Sequence, residues 1–353
     1  MKLPGFILKL QEDLNKIPEA IRRRVNSPGG LSESELTSLL LNPVDHTLSA
    51  PQPPDDGKVA FYHGCFEDYS QIGTQAIHSK SVAYCILAGG LGTRVGEPKA
   101  LLRVPELGMS LLTLKLFQAV GEGPIWIIVA PSLRDQVESH IRSQIGFDQN
   151  RISFIEQHES YRLTPDNQIV MSNNVPELYP CGTGDVFSIL RDRVEAANTA
   201  GVKHVVVVNV DNVFAALEPA IVGHHISHLS KVTCEVVRRK ENEMGSVLVN
   251  SERGQHISDQ ARMSCDITDY SWLSTGSYVI DLGIDFSPLG KTWYRRQKVH
   301  LNKVSVQYER RIDEITSFVD TSYLGVVRNE RYMPILTPQD FELVRGIVKF
   351  QLD

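Results

Sequence analysis

Leu87-Ala88-Gly89-Gly90-Leu91-Gly92-Thr93-Arg94-Val95-Gly96-Glu97-Pro98-Lys99 is the stretch on which the fold turns. It follows directly on the apolar run Val82 to Leu87, so a buried strand breaks here into a loop rich in glycine. Glycine lets the backbone approach a ligand closely and turn its N–H groups inward, which makes a concave anion site. Arg94 and Lys99 add two cations suited to a polyphosphate and to the charge that develops during transfer. Two other glycine motifs fit less well. A Walker A loop requires Gly-Lys-Ser/Thr, whereas Lys99 stands between Pro98 and Ala100. The dinucleotide fingerprint could use Gly90 and Gly92, but Val95 takes the place of its third glycine, leaving only a looser variant through Gly96.

On the C-terminal side, apolar runs alternate with amphipathic stretches. Ser110 is placed to cap a helix reaching Val120, and Ile125 to Ala130 is a second continuous apolar run. Ser132 with Asp135 predicts the start of another helix, and Arg151 to Ile155 a third strand. Gly184 to Ala200 reads as a helix closed by Gly201, and Val205 to Val210 is the most strongly β-forming run of the chain. Strands so uniformly apolar are covered on both faces, the habit of parallel sheets. The alternation predicts an α/β fold with a doubly wound, mixed but mainly parallel sheet.

On the N-terminal side, Phe6, Leu10, Leu14, Ile17, Ile21 and Val25 recur at helical spacing, with Pro18 opening a second helix. Ser32 and Glu35 form a capping-box pattern ahead of Leu36, Leu39 and Leu40. Pro43 to Gly57 has no periodicity and reads as a linker. The expected divisions are a helical region and linker over 1–57, a main domain over 58–285, and a small C-terminal extension over 286–353.

Composition narrows the function classes. The 353 residues carry a net charge of −6, which disfavours nucleic acid as a partner. No apolar run is long enough to span a bilayer, and residues 1–24 lack a signal-peptide core. Five scattered cysteines without a CxxC pair point to neither a disulfide framework nor a zinc site, and to a cytoplasmic protein. A monomer and a homodimer both remain open.

Two further positions carry chemistry. Gln157 closes the strand-like Phe154-Ile155-Glu156 with an amide that can both donate and accept. Asp211 follows the run ending Val208-Asn209-Val210, at the sheet edge where α/β proteins bind ligands. A carboxylate there suits a hard cation such as Mg²⁺, whose shell phosphates can complete.

The loop resembles the signature of the sugar nucleotidyltransferases: a strand, then GGxGTR, then a Pro-Lys pair. The likeness sharpens toward the UDP-sugar pyrophosphorylase family, which includes UTP–glucose-1-phosphate uridylyltransferases and UDP-N-acetylglucosamine pyrophosphorylases. Gly73, Ala76 and Ile77 resemble that family's approach to the loop. Pro180-Cys181-Gly182-Thr183-Gly184-Asp185 is similar to its Pro-x-Gly-x-Gly-Asp segment, with Thr183 where His or Asn is usual. Asn209-Val210-Asp211-Asn212 matches its Asn-x-Asp-Asn segment. Ser274-Thr275-Gly276-Ser277 corresponds to a sugar-binding turn that usually carries asparagines, with Asp281 nearby as a substitute metal ligand. His300-Leu301-Asn302-Lys303 is similar to its His-x-x-Lys approach, and Val326-Val327-Arg328 with Tyr332-Met333-Pro334-Ile335 to its closing pattern.

The resemblance implies a GT-A-like, Rossmann-type nucleotidyltransferase core. It implies a nucleotide site of Leu87, Ala88, Gly89, Gly90, Gly92, Thr93, Gln157, Gly182 and Thr183, with bare backbone at Gly182 and Gly184 against the base. Arg94 and Lys99 would meet the triphosphate and Lys303 the incoming phosphate. Asp211 would hold Mg²⁺, and Asn212, Thr275 and Gly276 the sugar. The implied reaction joins a nucleoside triphosphate, UTP, to a sugar 1-phosphate and releases pyrophosphate. A non-catalytic nucleotide-sugar binder, or a CTP- or GTP-using transferase with a non-sugar phosphate acceptor, stands as the alternative. Cys181 has no evident partnering base and is not expected to act as a nucleophile.

Overall fold

A computed structural model describes residues 4–48, 51–62, 67–92, 95–144, 146–300 and 303–352. Its frame is a sheet whose main path holds eight strands. In chain order these are β1 (Val59–Phe61), β2 (Val82–Leu87), β3 (Ile125–Val129), β4 (Ile152–Glu156), β5 (His204–Asn209), β6 (Val232–Arg238), β7 (Trp272–Asp281) and β8 (Thr321–Gly325). Across the sheet they run β1-β8-β6-β7-β5-β2-β3-β4. Every pairing on this path is parallel except those of β7, which runs antiparallel to both β5 and β6. The mixed, mainly parallel sheet expected from the apolar runs is therefore present.

Alternate residues of β2 show why those runs are uniformly apolar. Val82, Tyr84 and Ile86 enter one core with Leu112 and Leu116 of helix Leu111–Phe117 and Val137 of helix Arg134–Arg142. Ala83, Cys85 and Leu87 enter the opposite core with Phe187 and Leu190 of helix Val186–Thr199. Both faces are covered, so neither can be polar. Helices Glu67–His78 and Pro219–Ser227 cross at backbone distance. A Cβ on Gly73 would lie 1.7 Å from the Pro219 carbonyl oxygen, and one on Gly223 1.8 Å from that of Tyr69.

Local expectations fare unevenly. Ser110 caps its helix, accepting from the Thr113 N–H, and Ser32 with Glu35 makes both bonds of a capping box ahead of α3 (Glu33–Leu41). Ser132 does not start a helix. Residues Pro131–Leu133 form a 3₁₀ turn, and the helix begins at Arg134 without a side-chain cap.

The expected divisions at 57 and 285 do not follow the packing. β8, at residues 321–325, sits inside the central sheet between β1 and β6. The stretch read as a linker is bridged to the main body, with Leu48 beside Met263 and Gln52 beside Asn250, and Tyr270 Oη donates to the Pro51 carbonyl. Helices α1 (Gly5–Lys16), α2 (Glu19–Val25) and α3 share a third core with Tyr161, Cys181, Trp293, Val306 and Tyr308. Trp293 precedes, and Val306 and Tyr308 belong to, a hairpin of Tyr294–His300 and Lys303–Glu309 that stands apart from the main sheet.

Candidate active site

β2, β3, β4 and β5 are mutually parallel, so their carboxyl ends share one edge of the sheet. A cleft of about 400 Å³ opens there, with Leu87, Gly89, Gly90, Gly92, Gln157, Gly182, Thr183 and Asp211 in its lining. The glycine loop is tightly wound. Gly92 adopts φ 64°, and any Cβ there would lie 1.6 Å from the Glu97 carbonyl oxygen. Its own carbonyl accepts from the N–H groups of Val95 and Gly96, each at 2.9 Å. Gly89 is required for another reason, since a Cβ on it would fall 1.8 Å from Gln157 Oε1. Ala88 does not reach the cleft. It is fully buried, and its N–H donates to the Ile128 carbonyl at 2.7 Å as part of the sheet. Thr93 and Arg94 lie outside the described residues.

At the centre, Lys99 Nζ donates to Asp211 Oδ2 at 2.5 Å, joining positions 112 residues apart. Both side chains are 18% exposed, so the pair is shielded yet reachable from the cleft. A firm support lies behind Asp211. The Ile335 N–H donates to the Asp211 carbonyl at 2.9 Å. Arg331 makes two bonds to Glu235, at 2.8 and 2.9 Å, in a buried ion pair.

Asn212 belongs to this support and not to the cleft. It is 1% exposed, its Nδ2 donates to the Arg331 carbonyl, and its Oδ1 accepts from the Met333 N–H. The amide is spent, so the sugar contact expected of it is not available to this side chain.

Thr275 is likewise committed, donating from Oγ1 to the Glu235 carbonyl at 3.1 Å. It and Gly276 lie in a bulge of β7, where Cys234 pairs with Tyr278 but Val236 with Ser274, so Thr275, Gly276 and Ser277 face Glu235 alone. Gly276 abuts Asn209, which lines the cleft. Asp281 stands at the other end of β7, opposite His204 and paired with Lys231 at 2.9 Å, so it cannot substitute as a ligand beside Asp211.

Gln157 spans the two glycine segments. Its Nε2 donates to the Gly182 carbonyl at 3.1 Å, and its backbone N–H to Val129. The bare backbone at Gly182 and Gly184 has a cause different from the expected one. Added Cβ atoms would strike the Arg310 carbonyl at 2.5 Å and the Arg311 N at 2.4 Å, so these glycines admit the end of the hairpin. Thr183 lines the cleft while its Oγ1 accepts from the Ile312 N–H. Cys181 is fully buried, and burial pushes its thiol well above the ordinary range, which agrees with its exclusion as a nucleophile.

The far wall comes from residues the sequence did not single out: Arg162, Tyr179, Lys298, Gln307, Glu309 and Arg310. Each cation there has an anion beside it: Arg162 with Glu177 at 3.2 Å, Lys298 with Glu309, Arg310 with Asp185 at 3.2 Å. Lys303 sits at the exposed tip of the hairpin, opposite His300, and does not line the cleft; Lys298 on the facing strand does. No local motif marks Lys298, because only the fold of the hairpin separates it from its neighbours.

A family model described as UTP–glucose-1-phosphate uridylyltransferase matches residues 49–348. The chain belongs to this family. Among curated members, UDP-N-acetylglucosamine diphosphorylase 1 of Arabidopsis thaliana is 26% identical over 215 residues, covering 53% of this chain and 43% of that protein. UDP-N-acetylglucosamine pyrophosphorylase of Saccharomyces cerevisiae is 23% identical over 208 residues, covering 53% and 44%. The matches thus span about half the length of these relatives. Among solved structures, uridine diphosphate N-acetylglucosamine pyrophosphorylase from Trypanosoma brucei, in complex with inhibitor, aligns with TM-score 0.72 at 16% identity, covering 98% and 85%. A mutant UDP-glucose pyrophosphorylase from Leishmania major in complex with UDP-glucose aligns at 0.70 with 18% identity, covering 96% and 79%. These likenesses establish the uridylyltransferase family's mixed-sheet fold.

Proposed function

We propose that the cleft joins UTP to a sugar 1-phosphate, forming a UDP-sugar and pyrophosphate. A phosphate oxygen of the sugar 1-phosphate attacks the α-phosphorus of UTP while the bond to the β-phosphate oxygen breaks and pyrophosphate leaves. Such transfer needs positioning and charge stabilisation more than a protein nucleophile. The observation that carries the reading is the Lys99–Asp211 contact at the mouth of a glycine loop, one group suited to phosphate and the other to a cation. Gln157 and Gly182 hold the base side, and the bare backbone at Gly89 and Gly90 lets the phosphates approach closely.

Among the described residues no group of three or more His, Cys, Asp or Glu could hold a metal by itself. Asp211 alone fits Mg²⁺ of the kind carried largely by substrate phosphates, and such an ion would supply charge neutralisation on them. Lys99 would then exchange its carboxylate partner for phosphate oxygen. Lys298, in place of Lys303, is positioned to meet the incoming phosphate.

A matrix of the four nucleoside triphosphates against sugar 1-phosphates, glucose and N-acetylglucosamine included, tests this by pyrophosphate release. Release only with UTP and a sugar 1-phosphate together, and only with Mg²⁺, is the expected result. A non-catalytic nucleotide-sugar binder is the second reading, motivated by Asn212 and Thr275 being tied to backbone. Calorimetric binding of UDP-sugar without turnover anywhere in the matrix would favour it.

A further inference from the structure

His158 directly follows Gln157 and is held at both ring nitrogens. Nδ1 lies 2.8 Å from Asp185 Oδ1, and Nε2 lies 2.9 Å from the Pro28 carbonyl. Both partners are acceptors, so filling both bonds requires two N–H donors, the imidazolium form. Pro28 belongs to the turn joining α2 to α3. The next two carbonyls of that turn also reach the cleft wall: Gly29 accepts from Arg310 Nη1 at 2.6 Å, and Gly30 from Nη2 at 3.5 Å. Arg310 is stacked over Trp293 at 3.9 Å and shares Asp185 with His158.

We propose that His158 is a positioning residue, a proton-dependent tie that couples docking of the N-terminal helices to the placement of Gln157 and Arg310 in the cleft. The tie deepens the uridylyl-transfer reading, since Gln157 holds the base there.

The balance of interactions around the ring favours its proton. Burial alone would lower the ring's pKa, but the hydrogen bond and charge of Asp185 outweigh it and hold His158 above its ordinary 6.5. Arg310, from the hairpin end, opposes this, and the Pro28 carbonyl supports it. On either side of the ring along the chain, Glu159 pairs with Arg24 of α2 and Glu156 with Arg134. Glu35 of α3 and Arg191 bear on Arg310 in turn. A raised folded-state pKa means that the stabilisation is whole below about 6.5 and is lost as pH rises through the docked value. The turn at 28–30 therefore loosens on the alkaline side.

Hydrogen exchange on the full chain, corrected for intrinsic rates, tests the tie. In the wild type, amides of residues 24–41 should lose protection above pH 6.5, by up to about tenfold per unit, while β2 to β5 stay protected. His158→Gln keeps one donor and should give lower, pH-independent protection over 24–41. KM for UTP should rise over the same range in the wild type and stay flat in the variant, with kcat changing less. Equal pH slopes in the two proteins would overturn the proposal. Should the variant fold poorly, ring ¹⁵N shifts of wild-type His158 followed over pH decide: a titration midpoint above 6.5 supports the tie, and one at or below 6.5 refutes it. The exchange and NMR arms need no turnover, so an inert protein would defeat the transfer reading alone.

Discussion

The two walls of the cleft are built differently. One is the glycine loop after β2, whose described residues, 87–92 and 95–99, are shaped by backbone, with Gly92 at positive φ and Gly89 against Gln157. The other draws on Arg162, Tyr179, Lys298, Glu309 and Arg310, brought from separate elements and held by ion pairs. Among its described residues the first wall presents bare glycine backbone and Lys99. The second presents side chains whose charges are already answered from behind. The backbone wall leaves no room for an added atom at Gly92, whereas the ion-paired wall depends on each partner being present.

That contrast can be broken by substitution. Arg310→Ala should have the largest effect, because it leaves the fully buried Asp185 carboxylate to His158 alone and takes the donor from the Gly29 carbonyl; stability should fall by about 3–5 kcal/mol in urea unfolding. A fall no larger than that of a surface arginine would mean the second wall is not held by its pairs. Lys99→Ala should leave the fold intact but lower kcat about 10²- to 10³-fold, some 2.7–4 kcal/mol of barrier, in a pyrophosphate-release assay. Near-normal turnover would remove Lys99 from the chemistry. Gly89→Ala should force Gln157 aside, at a cost of about 1–3 kcal/mol, and raise KM for UTP before it touches kcat. Lys303→Ala should be the mildest, with turnover indistinguishable from the wild type while Lys298→Ala weakens sugar-phosphate use; the reverse order would restore the hairpin tip to the site.

The sequence speaks unequally about these walls for a physical reason. The glycine loop, Gln157 and Asp211 each sit just past a strand end, and strand ends are marked locally by a switch from apolar residues to glycine or a polar side chain, while Lys99 follows Pro98 at the start of a 3₁₀ turn. The doubly wound sheet was legible in the same way, from runs such as Val205 to Val208 that can only be covered on both faces. Lys298 and Arg310 carry no such mark, since their place depends on a hairpin packing against α1 to α3 over distances no local pattern records. Asn212 misled for the opposite reason. Its neighbourhood in sequence is the site's, but its amide turns away to residues 331–333. The antiparallel β7 and its bulge were also hidden, because alternation of apolar residues does not encode direction.

The position of β8 bears on how the chain assembles. Residues 321–325 fill the gap between β6, drawn from the middle of the chain, and β1, drawn from near its start. Until that late segment is available, β1 has no neighbour and β6 shows an open, apolar edge, a surface prone to wrong pairing. Assembly of the sheet must therefore wait until residues 321–325 have been made, and contacts so distant along the chain make for slow folding. Truncation after 285, which would spare every group of the glycine loop, should yield a sticky and incomplete sheet.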